Sequence, residues 1–203
     1  MVEDLAPQFQ AAEKLLSRYE DEPEHVRQVS RLAGEVFDGL GAAGGHPYGA
    51  EEREWLILGG LLHDIGWSQT PTGSGHHKWS ARLIEKHGIE GYQDRETRMV
   101  ALIARYHRKS LPDPEKSSHE PFFRLDAEDQ ERIRLLGGIV RVADALDRTH
   151  CQLVRHVGVR LKPDGCALLV SASHAFGPEK ATVQKKGDLL SLYLDRPVWA
   201  EPA

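Results

Sequence analysis

The stretch Leu56-Ile57-Leu58-Gly59-Gly60-Leu61-Leu62-His63-Asp64-Ile65-Gly66 decides the fold and indicates the chemistry. Its apolar residues wrap most of a helical circumference, which predicts a helix over residues 51–64 that is buried on more than one side. The two glycines should each weaken this helix by about 1 kcal/mol relative to alanine, so we expect another helix backbone to pass close to them. The helix ends with His63 beside Asp64, and imidazole and carboxylate are both ligands of divalent metals.

The composition excludes several classes of protein. The 203 residues suit one domain with at most a small appendage. The formal net charge of −5 argues against a nucleic-acid binder. Cys151 and Cys166 are the only cysteines and form no CxxC motif, so a thiolate zinc site is not expected. The first residues are acidic and no apolar run is long enough to cross a bilayer, which predicts a cytoplasmic protein without a membrane partner.

Apolar periodicity predicts a mainly α-helical chain that ends in a small α+β appendage. Helices are predicted over residues 5–19, 24–40, 51–64, 76–87, 94–107 and 127–149, with Asp126 as the N-cap of the last. Residues 153–161 and 166–172 alternate around the turn Lys162-Pro163-Asp164-Gly165, which predicts a β-hairpin. A final helix could begin at Pro178 and continue to Leu194, although Gly187 weakens it. We expect a helical domain over residues 1–150 and a hairpin-helix subdomain over residues 151–203 packed on it.

Metal-competent residues stand at the start or end of five helical segments. Bundling these helices could bring their side chains together, because sites in helical bundles are built from inward side chains on facing helices. The residues are His25, His63 with Asp64, His76 or His77, His107, and Asp144. Imidazole and carboxylate without thiolate favour Mn²⁺, Fe²⁺, Co²⁺, Ni²⁺, Zn²⁺ or Mg²⁺. Such an ion lowers the pKa of a bound water and makes it a nucleophile near neutral pH.

Basic residues surround two of these positions. Arginine suits phosphate because its guanidinium binds phosphate oxygens in a bidentate way. Arg105, Arg108 and Lys109 lie around His107, and Arg141 and Arg148 flank Asp144. A metal with cations around it indicates an anionic, phosphate-bearing ligand.

A histidine, a histidine-aspartate pair and a distant aspartate resemble the pattern of the HD superfamily of metal-dependent phosphohydrolases. His25, His63, Asp64 and Asp144 match that pattern in order. Four longer motifs resemble one branch, the C-terminal HD region of the exopolyphosphatase and guanosine-pentaphosphate phosphohydrolase family, over about residues 22–195. They are Leu61-Leu62-His63-Asp64-Ile65-Gly66, His76-His77-Lys78-Trp79-Ser80-Ala81, Ile103-Ala104-Arg105-Tyr106-His107-Arg108-Lys109-Ser110 and Arg141-Val142-Ala143-Asp144-Ala145-Leu146-Asp147-Arg148.

The resemblance implies an HD-domain helical bundle that binds one or two divalent ions per chain. His25, His63, Asp64 and Asp144 would hold the first ion, and His76 and His107 could hold a second. A metal-activated water would attack phosphorus. Arg108, Lys109 and Arg148 would stabilise the phosphoryl charge, and Asp64 or a nearby carboxylate could orient the water. The substrate would be a nucleotide, an alarmone or another small phosphate ester or anhydride.

The chain departs from the branch in one respect. There, the phosphatase chemistry belongs to actin-like ATPase-type domains that precede the HD region, and no such glycine-rich phosphate-binding stretch occurs in this sequence. Polyphosphatase activity is therefore not implied, and we expect a stand-alone HD domain. Two alternatives are a non-catalytic regulatory module that binds metal and a phosphorylated ligand, and a metal-free structural or dimerising remnant. A homodimer stays open.

Each residue also has an ordinary structural interpretation. The His63-Asp64 pair could cap a helix, and His107 could complement a helix dipole. His76 could be exposed, as we expect for His77. Arg108, Lys109 and Arg148 could be solvated, and Arg148 could pair with Asp144 or Asp147. The remaining histidines are expected to have no functional role: His87, His119, His150, His156 and His174. The Trp and Phe residues are expected in the core rather than in a binding site.

Overall fold

The computed structural model describes residues 6–203, which form nine α-helices and a three-stranded sheet. The helices are α1 (Pro7–Tyr19), α2 (Pro23–Ala42), α3 (Ala50–Leu61), α4 (His76–His87), α5 (Asp94–Arg105), α6 (Glu120–Phe123), α7 (Ala127–Leu146), α8 (Gly177–Lys186) and α9 (Asp188–Leu194). The strands are β1 (Val154–Lys162), β2 (Gly165–Ala172) and β3 (Val198–Pro202). Short 3₁₀ helices cover Ile65–Gln69 and Ser117–His119. The predicted helical residue Leu5 lies outside the described residues.

Helix α7 runs through the centre of the bundle. Residues 135–146 are all buried, and the helix contacts α2, α3, α5, α8 and α9. Asp126 caps its N-terminus by accepting a hydrogen bond from the Asp129 amide at 2.8 Å, which confirms the predicted cap. The side chains at the C-terminal end of α7 therefore face neighbours on several sides.

Helix α3 lies between α2 and α5, and its two glycines allow both neighbouring helices to pack closely against it. A Cβ atom on Gly60 would lie 3.1 Å from the Cα of Ser30 on α2, so the predicted close approach of a helix backbone is confirmed there. At Gly59 the neighbour is a side chain, because a Cβ would lie 2.4 Å from Cγ2 of Ile103 on α5. The glycines let α3 sit deep in the bundle.

The C-terminal segment differs from prediction in two ways. Strands β1 and β2 pair antiparallel as the predicted hairpin, but β3 adds a parallel strand beside β2 that the sequence did not indicate. The single helix predicted from Pro178 to Leu194 is two helices. The helix is interrupted at Gly187. A Cβ atom there would lie 3.0 Å from the Val183 carbonyl oxygen and 3.3 Å from Cβ of Val198.

The appendage packs directly on the helices. Strand β1 contacts α2, and α8 and α9 contact α7. One hydrophobic cluster includes residues from both segments, for example Leu136 of α7 and Leu190 of α9. The proposed division at residue 150 stays a prediction. Between residues 6 and 203, no helix is both long enough and apolar enough to cross a membrane.

Candidate metal centre

Two predicted ligand motifs lie just beyond helix ends. Helix α3 ends at Leu61 and α5 ends at Arg105. His63, Asp64 and His107 had been predicted inside these helices, but they lie in the turns that follow them. The last carbonyl oxygens of an α-helix have no partner within the helix. Here imidazoles use them: Nδ1 of His63 donates to the Gly60 carbonyl oxygen at 2.7 Å, and Nδ1 of His107 donates to the Ala104 carbonyl oxygen at 2.7 Å.

The other two histidines are oriented in the same sense. At the start of α4, Nδ1 of His76 donates to the Gly73 carbonyl oxygen at 2.8 Å, and Nδ1 of His25 lies 2.8 Å from Oδ2 of Asp147. A carbonyl oxygen only accepts, so each carbonyl-bound imidazole carries a proton on Nδ1, and its neutral form has the lone pair on Nε2. Such outer hydrogen bonds fix the tautomer and orientation of metal-binding histidines.

The ligand-competent atoms converge into two groups that share Asp64. His25, His63 and Asp64 each place one such atom within 4.8 Å of the others, and so do Asp64, His76 and His107. All five residues are buried. In the second group, Nε2 of His76 lies 3.1 Å from Oδ1 of Asp64 and 3.3 Å from Nε2 of His107. The arrangement could hold one ion in each group, with the aspartate between them.

Three of these atoms lack any other partner. Nε2 of His25, Nε2 of His63 and Oδ1 of Asp64 are buried and form no hydrogen bond. Leaving a polar atom buried and unpaired costs about 1–3 kcal/mol, so three adjacent ones need an explanation. Imidazole and carboxylate lone pairs pointing into one buried space fit a divalent cation of the borderline or hard type.

Electrostatics keep most of the cluster in the form that binds metal. Burial alone would raise the pKa of the Asp64 carboxyl, but the imidazoles of His63, His76 and His107 hold it well below its usual range. Burial lowers the pKa of both His63 and His107. At neutral pH Asp64 is therefore an ionised carboxylate, and His63 and His107 are neutral imidazoles, the states that coordinate metal.

His25 behaves differently from the other histidines. Burial lowers its pKa, but contacts with the carboxylates of Asp144 and Asp147 outweigh burial and raise the pKa to about 9. A proton and a cation would therefore compete for Nε2 of His25. The ring of His150, which had been expected to have no role, stacks on His25 with ring centres 3.7 Å apart.

Asp144 lies at the edge of the cluster. Its Oδ1 is 3.6 Å from Nε2 of His25, and its Oδ2 forms an ion pair with Nζ of Lys186 at the end of α8. Burial raises the pKa of Asp144, yet Lys186 and His25 hold it well below its usual range. Lys186 was not predicted, because a lysine in a helix 42 residues further along the chain gives no local signal.

A pocket of about 390 Å³ opens beside this cluster. Three cations line it: Arg108, Arg148 and Lys186. Nη1 of Arg108 lies 3.1 Å from Nε2 of His76, and Arg148 is exposed. Lys109, which had been predicted to join them, is not among the residues lining this pocket and lines a separate cleft.

Several other predicted roles change. Arg141, one of the basic residues that flank Asp144 in the sequence, is buried and donates to the Asp188 carboxylate and to the Tyr106 and Lys109 carbonyl oxygens, so it has a structural role. His77, expected to be exposed, is only 7% exposed. Three aromatic residues expected in the core are instead exposed: Trp67, Trp79 and Phe123.

Sequence reasoning also missed residues that hold the cluster in place. Oγ of Ser80 donates to the His63 carbonyl oxygen at 2.6 Å and accepts from the Gly66 amide at 3.0 Å, joining α4 to the turn after α3. A Cβ atom on Gly66 would lie 2.2 Å from the His76 carbonyl oxygen, so only glycine allows this approach. Asp147, which orients His25, could have been found, because it lies one helical turn from Asp144.

The comparison with protein families agrees with this geometry. The HD domain model matches residues 24–149, which include all of the clustered histidines and both aspartates, Asp64 and Asp144. The match covers more than half of the chain, and the chain belongs to the HD domain family.

Proposed function

We propose that this protein is a metal-dependent phosphohydrolase that acts on a small phosphate ester or anhydride. The observation that carries the proposal is the convergence of four histidines and Asp64 beside a pocket lined by three cations. His25, His63, Asp64 and Asp144 would hold one divalent ion. Asp64, His76 and His107 would hold a second.

The chain's own residues supply most of the remaining chemistry. When bound, a divalent ion here would activate water and polarise a phosphoryl oxygen. Arg108, Arg148 and Lys186 would bind the other phosphoryl oxygens and stabilise charge that develops on them. Lys186 keeps the Asp144 carboxyl ionised, so its Oδ1 is available to accept a hydrogen bond from an incoming water and orient it.

A nucleotide is the finer proposal for the substrate. Trp67 is 46% exposed, stacks on the ring of His76 with centres 4.5 Å apart, and lines the pocket beside the cations. An exposed indole next to a phosphate site offers a stacking surface for a base. The resemblance to the exopolyphosphatase and guanosine-pentaphosphate phosphohydrolase branch supports a nucleotide or alarmone as well.

The test is a hydrolysis screen of nucleoside monophosphates, nucleoside polyphosphates and a chromogenic aryl phosphate with Mn²⁺ or Ni²⁺. We expect phosphate release that a chelator abolishes and that His63→Ala removes. His174→Ala, which changes an exposed histidine outside the cluster, serves as the matched control and should retain activity. Hydrolysis that survives both chelation and His63→Ala would overturn the proposal.

The second candidate is a module that binds metal and a phosphorylated ligand without turnover. The ion pair between Asp144 and Lys186 favours it, because that carboxylate already has a cationic partner. Tight binding of nucleotides with no phosphate release across the screen would support this candidate over the enzyme.

A further inference from the structure

A second cleft, of about 350 Å³, lies next to the candidate metal centre. We call it the basic cleft, because five cations line it and none of its lining residues is acidic. The five are Lys78, Arg105, Arg108, Lys109 and Lys116. The chain carries a net charge of −5, yet this lining holds only basic and neutral side chains among the described residues, with Asp113 pairing with Lys116 from outside the lining. Such a concentration of positive charge suits an anionic group.

Two buried polar atoms in the side chains that line the basic cleft form no hydrogen bond. Tyr106 and His77 both line the cleft and are 1% and 7% exposed, and neither Oη of Tyr106 nor Nδ1 of His77 forms a hydrogen bond. A phenol hydroxyl donates a hydrogen bond, and burying it unpaired is costly. An oxygen atom of a bound anion would supply the missing acceptor.

Arg108 joins the basic cleft to the metal centre. It lines both spaces, and its Nη1 lies 3.1 Å from Nε2 of His76. His76 and His77 are consecutive in the first turn of α4, and the first belongs to the metal cluster while the second lines the basic cleft. Groups bound in the two spaces would therefore lie on either side of one guanidinium.

We propose that the basic cleft binds a second phosphate group of the substrate, one that does not react. The substrate class is then a compound with at least two phosphate groups, either an oligophosphate chain or a bisphosphorylated nucleoside, rather than a simple monoester. This inference rests on the proposed function, which assigns the reacting phosphate to the metal centre.

The first test measures anion binding in the absence of metal, so that no ion in the histidine cluster can attract the anion. Calorimetry with chelator-treated protein would compare inorganic tripolyphosphate with inorganic phosphate. We expect the double variant Lys78→Gln/Lys116→Gln to bind tripolyphosphate at least about tenfold more weakly than the wild type. The control Lys86→Gln/Lys180→Gln makes the same change in net charge at exposed positions outside the cleft and should bind within about twofold of the wild type. Equal affinities in the two double variants, or no binding by the wild type, would overturn the inference.

A milder variant guards against a folding artefact. Tyr106→Phe removes only the hydroxyl and keeps the ring, so we expect normal thermal unfolding and weaker tripolyphosphate binding by about threefold or more. Unchanged affinity in this variant would show that the unpaired hydroxyl does not meet the anion and would contradict the inference.

The second test uses turnover to separate the two sources of the second phosphate. With Mn²⁺, kcat/KM would be compared for adenosine 5′-monophosphate, adenosine 3′,5′-bisphosphate and tripolyphosphate. We expect one of the two compounds with several phosphates to exceed the monophosphate, and this advantage to shrink in Lys78→Gln/Lys116→Gln but not in the control pair. A monophosphate preferred by wild type and variants alike would overturn the inference and leave the proposed function intact. Lack of all turnover with tripolyphosphate binding retained would refute the proposed function, and with it the assignment of the bound anion to a substrate, but not the binding of anions by the basic cleft.

Discussion

The two halves of the histidine cluster differ in one orienting group, the carboxylate that contacts His25. His76 and His107 donate to backbone carbonyl oxygens, which are neutral, whereas His25 contacts the carboxylate of Asp147 and lies near Asp144. The carboxylates raise the pKa of His25 to about 9, while burial lowers the pKa of His107. The difference indicates that a metal at the His25 half would have to displace a proton at neutral pH, whereas a metal at the other half would meet the neutral ring of His107.

The strongest test of this comparison removes the residue that both halves share. Asp64→Asn should abolish both ion sites, because its oxygens belong to both groups. Loss of a contact in the outer shell of a metal site costs 10–100-fold, so loss of this direct ligand should lower metal affinity and hydrolysis by more than about 100-fold. Metal titration and phosphate release measure the effect. Asp188→Asn is the matched control, because Asp188 pairs with Arg141 outside the cluster; similar losses in both variants would contradict the shared role.

The metal-free protein should lose stability as its pH is raised. The pKa of folded His25 is above its unfolded value near 6.5, so the stabilisation is complete below about pH 6.5 and disappears as pH rises through about 9. Urea unfolding of chelator-treated protein should show a loss of up to about 3 kcal/mol over this interval. The His25→Gln variant should not show this loss of unfolding free energy over the same pH interval. An identical pH dependence in both proteins would show that the carboxylates do not hold a proton on His25.

A smaller effect is expected when only the orienting carboxylate of the His25 half is neutralised. Asp147→Asn should weaken metal binding at that half about 10–100-fold and leave the His76 half nearly unchanged. A metal titration of the wild type should show two binding steps, and the two affinities should differ more in Asp147→Asn. Uniform weakening of both steps would mean that the two halves are not independently oriented.

The smallest expected effect concerns the contact between the halves. Ser80→Ala removes the hydrogen bonds to the His63 carbonyl oxygen and from the Gly66 amide, and should destabilise the fold by about 1–3 kcal/mol. Metal affinity should fall less than in Asp147→Asn, because no ligand loses its own partner. Thermal unfolding with and without Mn²⁺ measures both quantities. Ser191→Ala on α9 provides a serine control away from the cluster, and equal destabilisation there would remove the special role of Ser80.

The residues of the cluster could be predicted better than the residues that contact and support them. Helical periodicity located the helices, and the resemblance of His25, His63, Asp64 and Asp144 to the HD pattern predicted which helix ends would meet. The sequence could not indicate Lys186 or strand β3, because their positions depend on contacts between distant segments rather than on local pattern. The helix ends were predicted two or three residues too late, because the imidazoles replace the next helical hydrogen bonds at Gly60 and Ala104.

The basic cleft shows the same limit. Its lysines come from α4 and from the loop after α5, and single lysines in a loop look like solvated charges in any sequence. Only the packing that buries Tyr106 and His77 beside them distinguishes the cleft from ordinary surface.

Metal stoichiometry tests the central claim most directly. Protein purified without chelator and saturated with Mn²⁺ should hold two ions per chain by elemental analysis, one for each group that shares Asp64. No bound ion after saturation would contradict the claim that these histidines and Asp64 form a metal centre.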